Sequence, residues 1–206
     1  MLKKLLGGLA VIVALFLAYV ATRPAHYHVE RSVAVSAPAE IVYAQLEDLR
    51  KWAAWSPWEK IDPNMKKTYE GPERGVGASY SWQGNKDVGS GKMTIASAEP
   101  PKRISYKLEF FEPMAGEAAA TMSVAKAGES QQNVTWGMDG ESNFVGKLFG
   151  VFMDMDKMIG GQFESGLEKL KSIAEDEAKK QRAADQAATA AAPAPAAPAQ
   201  PEGRGP

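Results

Sequence analysis

The sequence predicts an α+β domain in which a curved antiparallel sheet of about seven strands wraps around one long C-terminal helix. Two short helices after the first strand and a transmembrane helix at the N-terminus complete the predicted fold. Three observations support it: an uncharged apolar run over residues 5–22, short alternating segments between residues 29 and 139, and an apolar stripe of helical period near the end. A long amphipathic helix must cover something, and the sheet is its natural partner.

The apolar run over residues 5–22 carries no charge and lies between two lysines and Arg23. Such a helix spans about 27 Å, and the apolar core of a bilayer is about 30 Å thick, so the segment is just long enough to cross. A cleaved signal peptide and a buried core helix are the alternatives. The candidate cleavage sites place the bulky Tyr19 or Phe16 where a small residue is required. We therefore expect an uncleaved, single-pass anchor.

The charges that flank this run predict its orientation. Lys3, Lys4 and the amino terminus precede it, and Arg23 follows it. The more positive side stays cytoplasmic, so we expect a cytoplasmic stretch at 1–4 and a linker at 23–28. The domain then lies on the periplasmic or extracytoplasmic side of the inner (cytoplasmic) membrane. The absence of cysteine fits any compartment.

Composition bounds the rest of the chain of 206 residues, whose net charge is −1. Residues 29–178 suffice for one ordinary domain. The charges are near balance and interspersed, which gives no electrostatic case for a nucleic-acid partner. Residues 183–206 are almost entirely Ala, Pro, Gln and Gly. Such a segment has too little apolar surface to offset its ordering entropy, so it is predicted to be a disordered tail.

Alternation of apolar and polar residues marks the strands. The first covers residues 29–35, a helix then starts at Pro38, and a second short helix or turn covers 48–55. A loop with several prolines follows. The later strands are predicted at 78–82, 89–98, 103–111, 117–125 and 131–139. Strands at such close spacing favour one continuous antiparallel sheet.

The last predicted helix has apolar residues at steps of three and four: Phe144, Leu148, Phe152, Met155, Ile159, Phe163, Leu167 and Leu170. That spacing places them in one stripe, which predicts a single helix. The pair Gly160-Gly161 interrupts it. Each glycine costs about 1 kcal/mol in a helix interior, so the pair needs a reason, either close packing or a bend.

Several short motifs occur in a characteristic order. The most specific is Trp55-Ser56-Pro57-Trp58, and weaker ones lie at 31–33, 37–43, 48–52, 75–78, 82–85, 88–91 and 163–167. Over residues 29–175 the chain resembles the helix-grip superfamily called SRPBCC or START-like. More narrowly, it is similar to the polyketide cyclase/dehydrase-like branch in a membrane-anchored bacterial form.

This resemblance implies an internal hydrophobic cavity between the sheet and the long helix. It does not imply cyclase chemistry, because the fold serves lipid carriers, hormone receptors and enzymes alike. No catalytic motif of the family maps onto this sequence, so none is carried over.

Aromatic and methionine side chains are the strongest functional signal. Their amphipathic or flexible character suits a partly wet pocket for ligands of varied shape. The predicted ligand-binding residues on the inner faces of the sheet and the long helix are Tyr80, Trp82, Met93, Tyr106, Phe110, Trp136, Met138, Phe152, Met155, Ile159 and Phe163. The alternative is that these side chains simply fill the core.

Three tryptophans, Trp52, Trp55 and Trp58, lie close together between the short helices and the sheet. They pack beneath the loop, cap the cavity mouth, or dip into the membrane interface, where tryptophan is favoured.

Ionisable residues offer weaker signals. His26, His28 and Glu30 would share one face of an extended strand, but two histidines without cysteine make a thin ligand set, and we expect no metal. Because the chain has no other histidine, no Ser-His pair is available within the predicted cavity. The glycines at 75–77 and 84–91 lack a Gly-Lys-Ser/Thr sequence and are read as turns.

Acid–base candidates remain. They are Asp62, Tyr80, Tyr106, Glu109 and Asp139. A carboxylate on a cavity wall can have a raised pKa and move protons, but for each of these solvation at the surface is the favoured interpretation.

The sequence thus favours a membrane-anchored binding protein for a small hydrophobic or amphipathic ligand over an enzyme. No cofactor is expected. An enzyme of the cyclase, dehydrase or hydrolase type in the same cavity is the first alternative. A structural module with a filled core is the second.

Overall fold

The structure, a computed structural model, describes residues 2–191. Its helices are α1 (Leu2–Thr22), α2 (Ala39–Leu46), α3 (Trp58–Ile61), α4 (Phe144–Phe152) and α5 (Met155–Ala191), with a 3-10 turn at Lys51–Ala54. Its strands are β1 (His26–Val35), β2 (Lys66–Glu70), β3 (Ser79–Gln83), β4 (Ser90–Glu99), β5 (Arg103–Glu112), β6 (Gly116–Lys126) and β7 (Gln132–Glu141).

All seven strands form one antiparallel sheet in the order β1-β7-β6-β5-β4-β3-β2. Strands that follow one another in the chain are neighbours from β2 to β7, and β1 closes the far edge against β7. The long helix α5 packs mainly along β1. The predicted α+β helix-grip fold, with its curved sheet around a C-terminal helix, is confirmed.

Two strand predictions differ from the structure. β1 begins at His26, so residues 26–28, which were predicted as linker, pair with the end of β7. β2 was not predicted, because in this edge strand only Lys67 and Tyr69 are half-buried and the segment has no apolar alternation. The helical segment after β1 also has three short pieces, the 3-10 turn included, rather than two.

The apolar stripe that predicted one long helix belongs to two helices. Asn143 caps the start of α4: its side-chain oxygen accepts a hydrogen bond from the backbone N–H of Gly146 at 2.9 Å. It ends at Phe152, and Asp154 then accepts a bond from the N–H of Lys157 at 3.1 Å, which caps the first turn of α5. At its other end α5 continues to Ala191, past the predicted start of the tail at 183; residues 192–206 of that tail lie outside the described residues.

The core lies between the inner face of the sheet and α5. The buried residues of α5 recur at helical spacing: Phe163, Leu167, Leu170, Ala174 and Ala178. α2 adds Val42 and Leu46, which are completely buried. Burial of this stripe against the sheet is what stabilises so long a helix, because propensity alone leaves isolated helices marginal.

Arg31 fastens the start of α5 to β1. Its guanidinium donates to the carboxylates of Asp156 and Glu164, each at 2.8 Å, and the hydrogen bond from Arg31 lowers the pKa of Asp156. Gly160 lies directly beneath the guanidinium, where a Cβ would collide with it. Close packing is therefore the reason for this glycine, whereas Gly161 next to it faces open space.

The N-terminal helix α1 is long and apolar enough to cross a membrane, a property that signal sequences share. Almost all of it is exposed, except Val20 near its end, which is buried. Its last turns contact α4: the Phe16 and Phe152 rings lie 6.0 Å apart.

The two adjacent glycines of α5 give a matched stability test. Gly160→Ala should lower the free energy of unfolding by about 1–3 kcal/mol, because the added methyl displaces the Arg31 guanidinium. Gly161→Ala should raise it by about 0.5–1 kcal/mol, because alanine loses less backbone entropy in a helix. Urea unfolding of the full chain in mild detergent measures both. Equal stability of the two variants would show that the Arg31 side chain moves aside without lowering the free energy of unfolding.

Candidate functional site

A cavity of about 200 Å³ lies between the inner face of the sheet and the first turns of α5. Its wall is apolar and aromatic, and it is formed by Trp52, Trp58, Met65, Tyr80, Trp82, Val88, Met93, Leu108, Phe110, Ala120, Trp136, Met138, Ile159 and Phe163. Strand alternation explains most of this set, because every second residue of β3 to β7 points inward.

The deepest part of the wall is an aromatic cluster around Trp136. Its indole stacks on the Phe163 ring, with 4.2 Å between centroids and an 8° angle between planes. Trp52, Trp55 and Trp58 meet Trp136 edge to face at 5.6, 5.6 and 5.8 Å. The three tryptophans thus pack beneath the loop that carries them, and Trp52 and Trp58 also line the cavity.

Trp82 forms the wall at the other side of the cavity. Gly91 is its partner on β4, and a Cβ at Gly91 would collide with the Trp82 ring and with the backbone of Glu109. The indole therefore lies flat across β4 and reaches the Phe110 ring, 6.0 Å away on β5. One glycine allows one large side chain to cover two strands.

Most of the residues predicted from the sequence line this cavity together. These are Tyr80, Trp82, Met93, Phe110, Trp136, Met138, Ile159 and Phe163. Tyr106, Phe152 and Met155 do not. The hydroxyl of Tyr106 donates to the carbonyl of Leu46 at 3.0 Å, which holds this side chain in the solid core. Phe152 and Met155 flank the break between α4 and α5 and are not among the residues that line the cavity, and Phe152 is 75% exposed.

The sequence analysis did not assign four wall residues, Met65, Val88, Leu108 and Ala120. Leu108 follows the alternation of β5, so the sequence pattern could have identified it. Ala120 is too small to stand out in its strand. Met65 and Val88 come from connections without periodicity, so only the tertiary structure reveals them.

The connections that carry Met65 and Val88 are fastened together by Asp62. This buried carboxylate accepts hydrogen bonds from the backbone N–H of Asn85 at 2.6 Å and of Asn64 at 3.1 Å. Gly84 approaches so closely that a Cβ would press on Val88 and on the carboxylate. Asp62, an acid–base candidate in the sequence, is therefore occupied in closing this side of the cavity.

The other carboxylate candidates also lie away from the cavity wall. Glu109 is on the outer face of β5, 3.1 Å from the ammonium of Lys107. Asp139 is half exposed and bonds to Nδ1 of His28 at 2.8 Å. Neither residue is positioned to exchange protons with a molecule in the cavity.

His26 and His28 both lie near Asp139, at 3.5 and 2.8 Å. His28 also lies 3.8 Å from Glu30. Within residues 2–191 no group of three or more His, Cys, Asp or Glu side chains has an arrangement that could hold a metal ion.

Polar groups at the cavity are few but distinct. The indole N–H of Trp136 is buried and, like that of Trp55 and the hydroxyl of Tyr43, has no hydrogen-bond partner within residues 2–191. The pKa of the Tyr80 phenol is raised, first by burial and then by the negative charge of Glu59. Glu59 itself pairs with Lys67 on the inner side of β2, and both side chains are largely buried. Near neutral pH the described wall therefore carries no charge, and the Tyr80 phenol is its protonated hydrogen-bond donor.

Residues 26–175 match the family described as polyketide cyclase/dehydrase and lipid transport. The chain belongs to this family. The match starts at the first residue of β1 and ends within α5, so it covers the sheet, the short helices and the cavity. No curated protein sequence matches the chain.

Solved structures with this fold have low sequence identity. The Zhui aromatase/cyclase from Streptomyces sp. R1128 superposes with a TM-score of 0.52 at 16% identity, covering 73% of this chain and 94% of that one. A protein from Chromobacterium violaceum gives 0.53 at 16% identity, with 72% and 96% covered. The Aha1 dimer from Colwellia psychrerythraea gives 0.51 at 16% identity, with 72% and 96% covered. At such identity the likeness establishes the family fold alone.

The raised pKa of Tyr80 predicts a loss of stability in alkali. The unfolded phenol ionises near about pH 10, whereas the folded one stays protonated, so the folded state retains a proton that the unfolded state releases. The free energy of unfolding should therefore fall as pH rises above 10, by up to about 1.4 kcal/mol per pH unit for each such tyrosine.

Urea unfolding between pH 9 and 11 tests this expectation, with the wild type beside Tyr80→Phe. The variant should show a shallower alkaline slope, because the substituted ring has no proton to release. An unchanged slope would mean that the Tyr80 phenol titrates alike in both states.

Proposed function

We propose that this protein binds a small hydrophobic or amphipathic molecule in the cavity while α1 tethers it to a membrane. The observation that carries the proposal is the wall itself, in which every described residue is apolar or aromatic and none is charged. Pockets of this kind, with a few placed polar groups, are typical of small-molecule sites. The family description, which includes lipid transport, agrees with such a ligand.

The size of the cavity limits the ligand. Its volume of about 200 Å³ exceeds that of an engineered cavity of about 150 Å³ that admits benzene. It is smaller than the roughly 300–1,000 Å³ of pockets that enclose a drug-sized molecule. We therefore expect one ring system or one stretch of chain inside, with the rest of the ligand at the mouth.

The ligand should carry a hydrogen-bond acceptor. The Tyr80 phenol belongs to the cavity wall and is kept protonated by its raised pKa, so it can donate to a carbonyl, ether or hydroxyl oxygen. A buried donor left unpaired costs about 1–3 kcal/mol, which favours a ligand that accepts this bond.

An enzyme of the cyclase or dehydrase type is the second candidate, favoured by the family description and by the named activity of the Streptomyces structure. Acid–base catalysis needs a group whose pKa lies near the working pH. Tyr80 is the one ionisable side chain among the described wall residues, and its raised pKa makes it a weak acid and an unavailable base. Binding therefore explains the described wall with fewer requirements than catalysis does.

Two neighbouring alanines of β6 test the binding proposal. Ala120→Leu should fill part of the cavity and reduce the fraction of protein that carries a small molecule by tenfold or more, as measured by native mass spectrometry of protein released from mild detergent. Ala119→Leu, on the exposed face of the same strand, should leave that fraction unchanged. Because each buried methylene contributes about 0.8 kcal/mol, Ala120→Leu should also unfold no more easily than the wild type.

Two outcomes would contradict the proposal. One is wild-type protein that carries no small molecule in repeated preparations. The other is Ala120→Leu protein that retains the wild-type ligand in full.

The tether is proposed with its N-terminus in the cytoplasm and the domain on the other side. The chain has no cysteine, so single cysteines report topology without background. In cells stripped of any outer barrier, Ser130→Cys in the exposed turn between β6 and β7 should react with a membrane-impermeant maleimide. Lys3→Cys should react only after the membrane is opened. The reverse pattern would invert the orientation, and reaction of both would exclude a span.

A further inference from the structure

One end of the sheet is tied to the end of α1. Only residues 23–25 separate Thr22, where α1 ends, from His26, where β1 begins. Three residues reach at most about 11 Å. If α1 is the membrane span of the proposed function, on which this inference rests, this end of the sheet lies at the bilayer surface.

The strand register shows what else lies at that end. Glu141, the last residue of β7, pairs with His26. Gly140 pairs with Ala118 near the start of β6, and Gly116 pairs with Phe110 near the end of β5. The hairpin between β5 and β6 and the turn between β3 and β4 therefore share this end with α1.

The cavity lies toward the same end. Phe110 pairs with Gly91, and Gly91 pairs with Trp82, so two wall residues sit in this terminal row of the sheet. Val88 comes from the adjoining turn, and Ile159 from the first turns of α5. The cavity is thus at the membrane-proximal end of the domain.

The helix α4 brings an unusual apolar surface to this end. None of its residues is buried. Large apolar side chains of α4 and the following segment are exposed: Phe144, Val145, Phe149, Phe152, Met153 and Met158. Phe111 and Met114 in the β5–β6 hairpin are exposed as well. Large apolar side chains exposed in this number at one end of a domain are typical of a contact with a membrane or another protein.

The contacts between α4 and α1 give the direction of α4. The ammonium of Lys147 donates to the carbonyl of Ala21, at the end of α1, at 3.4 Å. Further along α4, the Phe152 ring lies 6.0 Å from the ring of Phe16. The two helices are therefore antiparallel, and α4 returns along α1 toward the centre of the proposed span.

These contacts give the length over which α4 runs beside α1. Lys147 and Phe152 are five residues apart, as are Ala21 and Phe16, which corresponds to about 7.5 Å along a helix. Interfacial helices bury their apolar face about 5–10 Å into the headgroup and acyl boundary. Lys147 sits at the upper level, where its charge can reach water.

We propose that α4 inserts into the outer part of the bilayer beside α1, with its apolar side chains among the lipids. It holds the cavity end of the domain against the bilayer, so that the apolar part of a ligand passes between acyl chains and cavity without crossing water. The occupant of the α4 surface is lipid. Its binding is apolar, since α4 has a single charged residue, Lys147.

Depth-dependent quenching in the full chain tests this proposal. Phe149→Cys and Phe152→Cys, each labelled with an NBD fluorophore, are reconstituted into phosphatidylcholine vesicles at high lipid-to-protein ratio. Quenching is measured with lipids that carry a nitroxide on the acyl chain and with aqueous iodide. Ser130→Cys, at the opposite end of β7, is the water-exposed control, and Leu9→Cys within α1 is the membrane control.

The expected result is strong quenching of the Phe149 and Phe152 sites by the acyl nitroxide, at least several-fold above the Ser130 site, with little quenching by iodide. Quenching at Leu9 alone, with the α4 sites behaving like Ser130, overturns the proposal and leaves the tether intact. Absence of acyl quenching at Leu9 overturns both, while ligand binding by native mass spectrometry remains a separate measurement.

A second copy of the chain is the competing occupant. In that case the α4 sites would be shielded from iodide without lipid quenching, and the shielding would fall as lipid dilutes the protein. That outcome would assign the surface to self-association and overturn the proposal.

Discussion

The stack of Trp136 on Phe163 is the contact on which the rest of this structure depends. It joins β7 to α5 at the distance of two aromatic rings. One turn further along α5, Gly166 leaves room for the edge of the same indole and for Pro57; a Cβ there would meet both. A flat indole against a glycine and a phenyl ring thus sets how closely the long helix can approach the sheet. Aromatic residues bury about 150–250 Å² each, which makes this contact strong enough to do so.

The cavity follows from where that contact is placed. α5 packs along β1 and meets β7 through Trp136, so the strands from β3 to β5 curve beyond its reach. α2 and the loop that carries Trp52, Trp55 and Trp58 cover part of this surface. There the polar tips of Trp52 and Tyr106 both donate to the carbonyl of Leu46, at 3.3 and 3.0 Å. These two core aromatics are thus satisfied by backbone, whereas the hydroxyl of Tyr43 and the indole N–H groups of Trp55 and Trp136 are buried without a partner among the described residues.

The helical period and the strand alternation in the sequence predicted the fold and much of the cavity wall. Trp82, Phe110 and Met138 could be placed because a strand buried on one face repeats every two residues. Met93 follows the alternation of β4, and Phe163 follows the helical period of α5. These patterns record which face is inward, and that is enough when the whole inner face of several strands lines one space.

The predicted cavity lining and helix length differ from the structure where a tertiary contact overrides the sequence periodicity. Tyr106 has the correct alternation, but its hydroxyl finds Leu46, and no strand pattern encodes that partner. The stripe through Phe152 is continuous in sequence, while the caps at Asn143 and Asp154 divide it into two helices. Such caps use common residues, so they are recognised only after the break is known. β2 lacks an apolar face altogether, because one of its two inward residues is Lys67, whose charge is balanced by Glu59.

Because the cavity lies next to the proposed span, the terms that contribute to the free energy of ligand binding depend on whether the ligand comes from water or from the bilayer. For a ligand that enters from water, each buried methylene contributes about 0.8 kcal/mol. For a ligand that leaves a bilayer, this term nearly cancels, because acyl chains and the cavity wall are both apolar. Preference for one molecule over the surrounding lipid must then come from shape and from the few polar groups. The protonated phenol of Tyr80 is the wall group able to provide it, since a site with a buried donor rejects molecules that leave that donor unpaired.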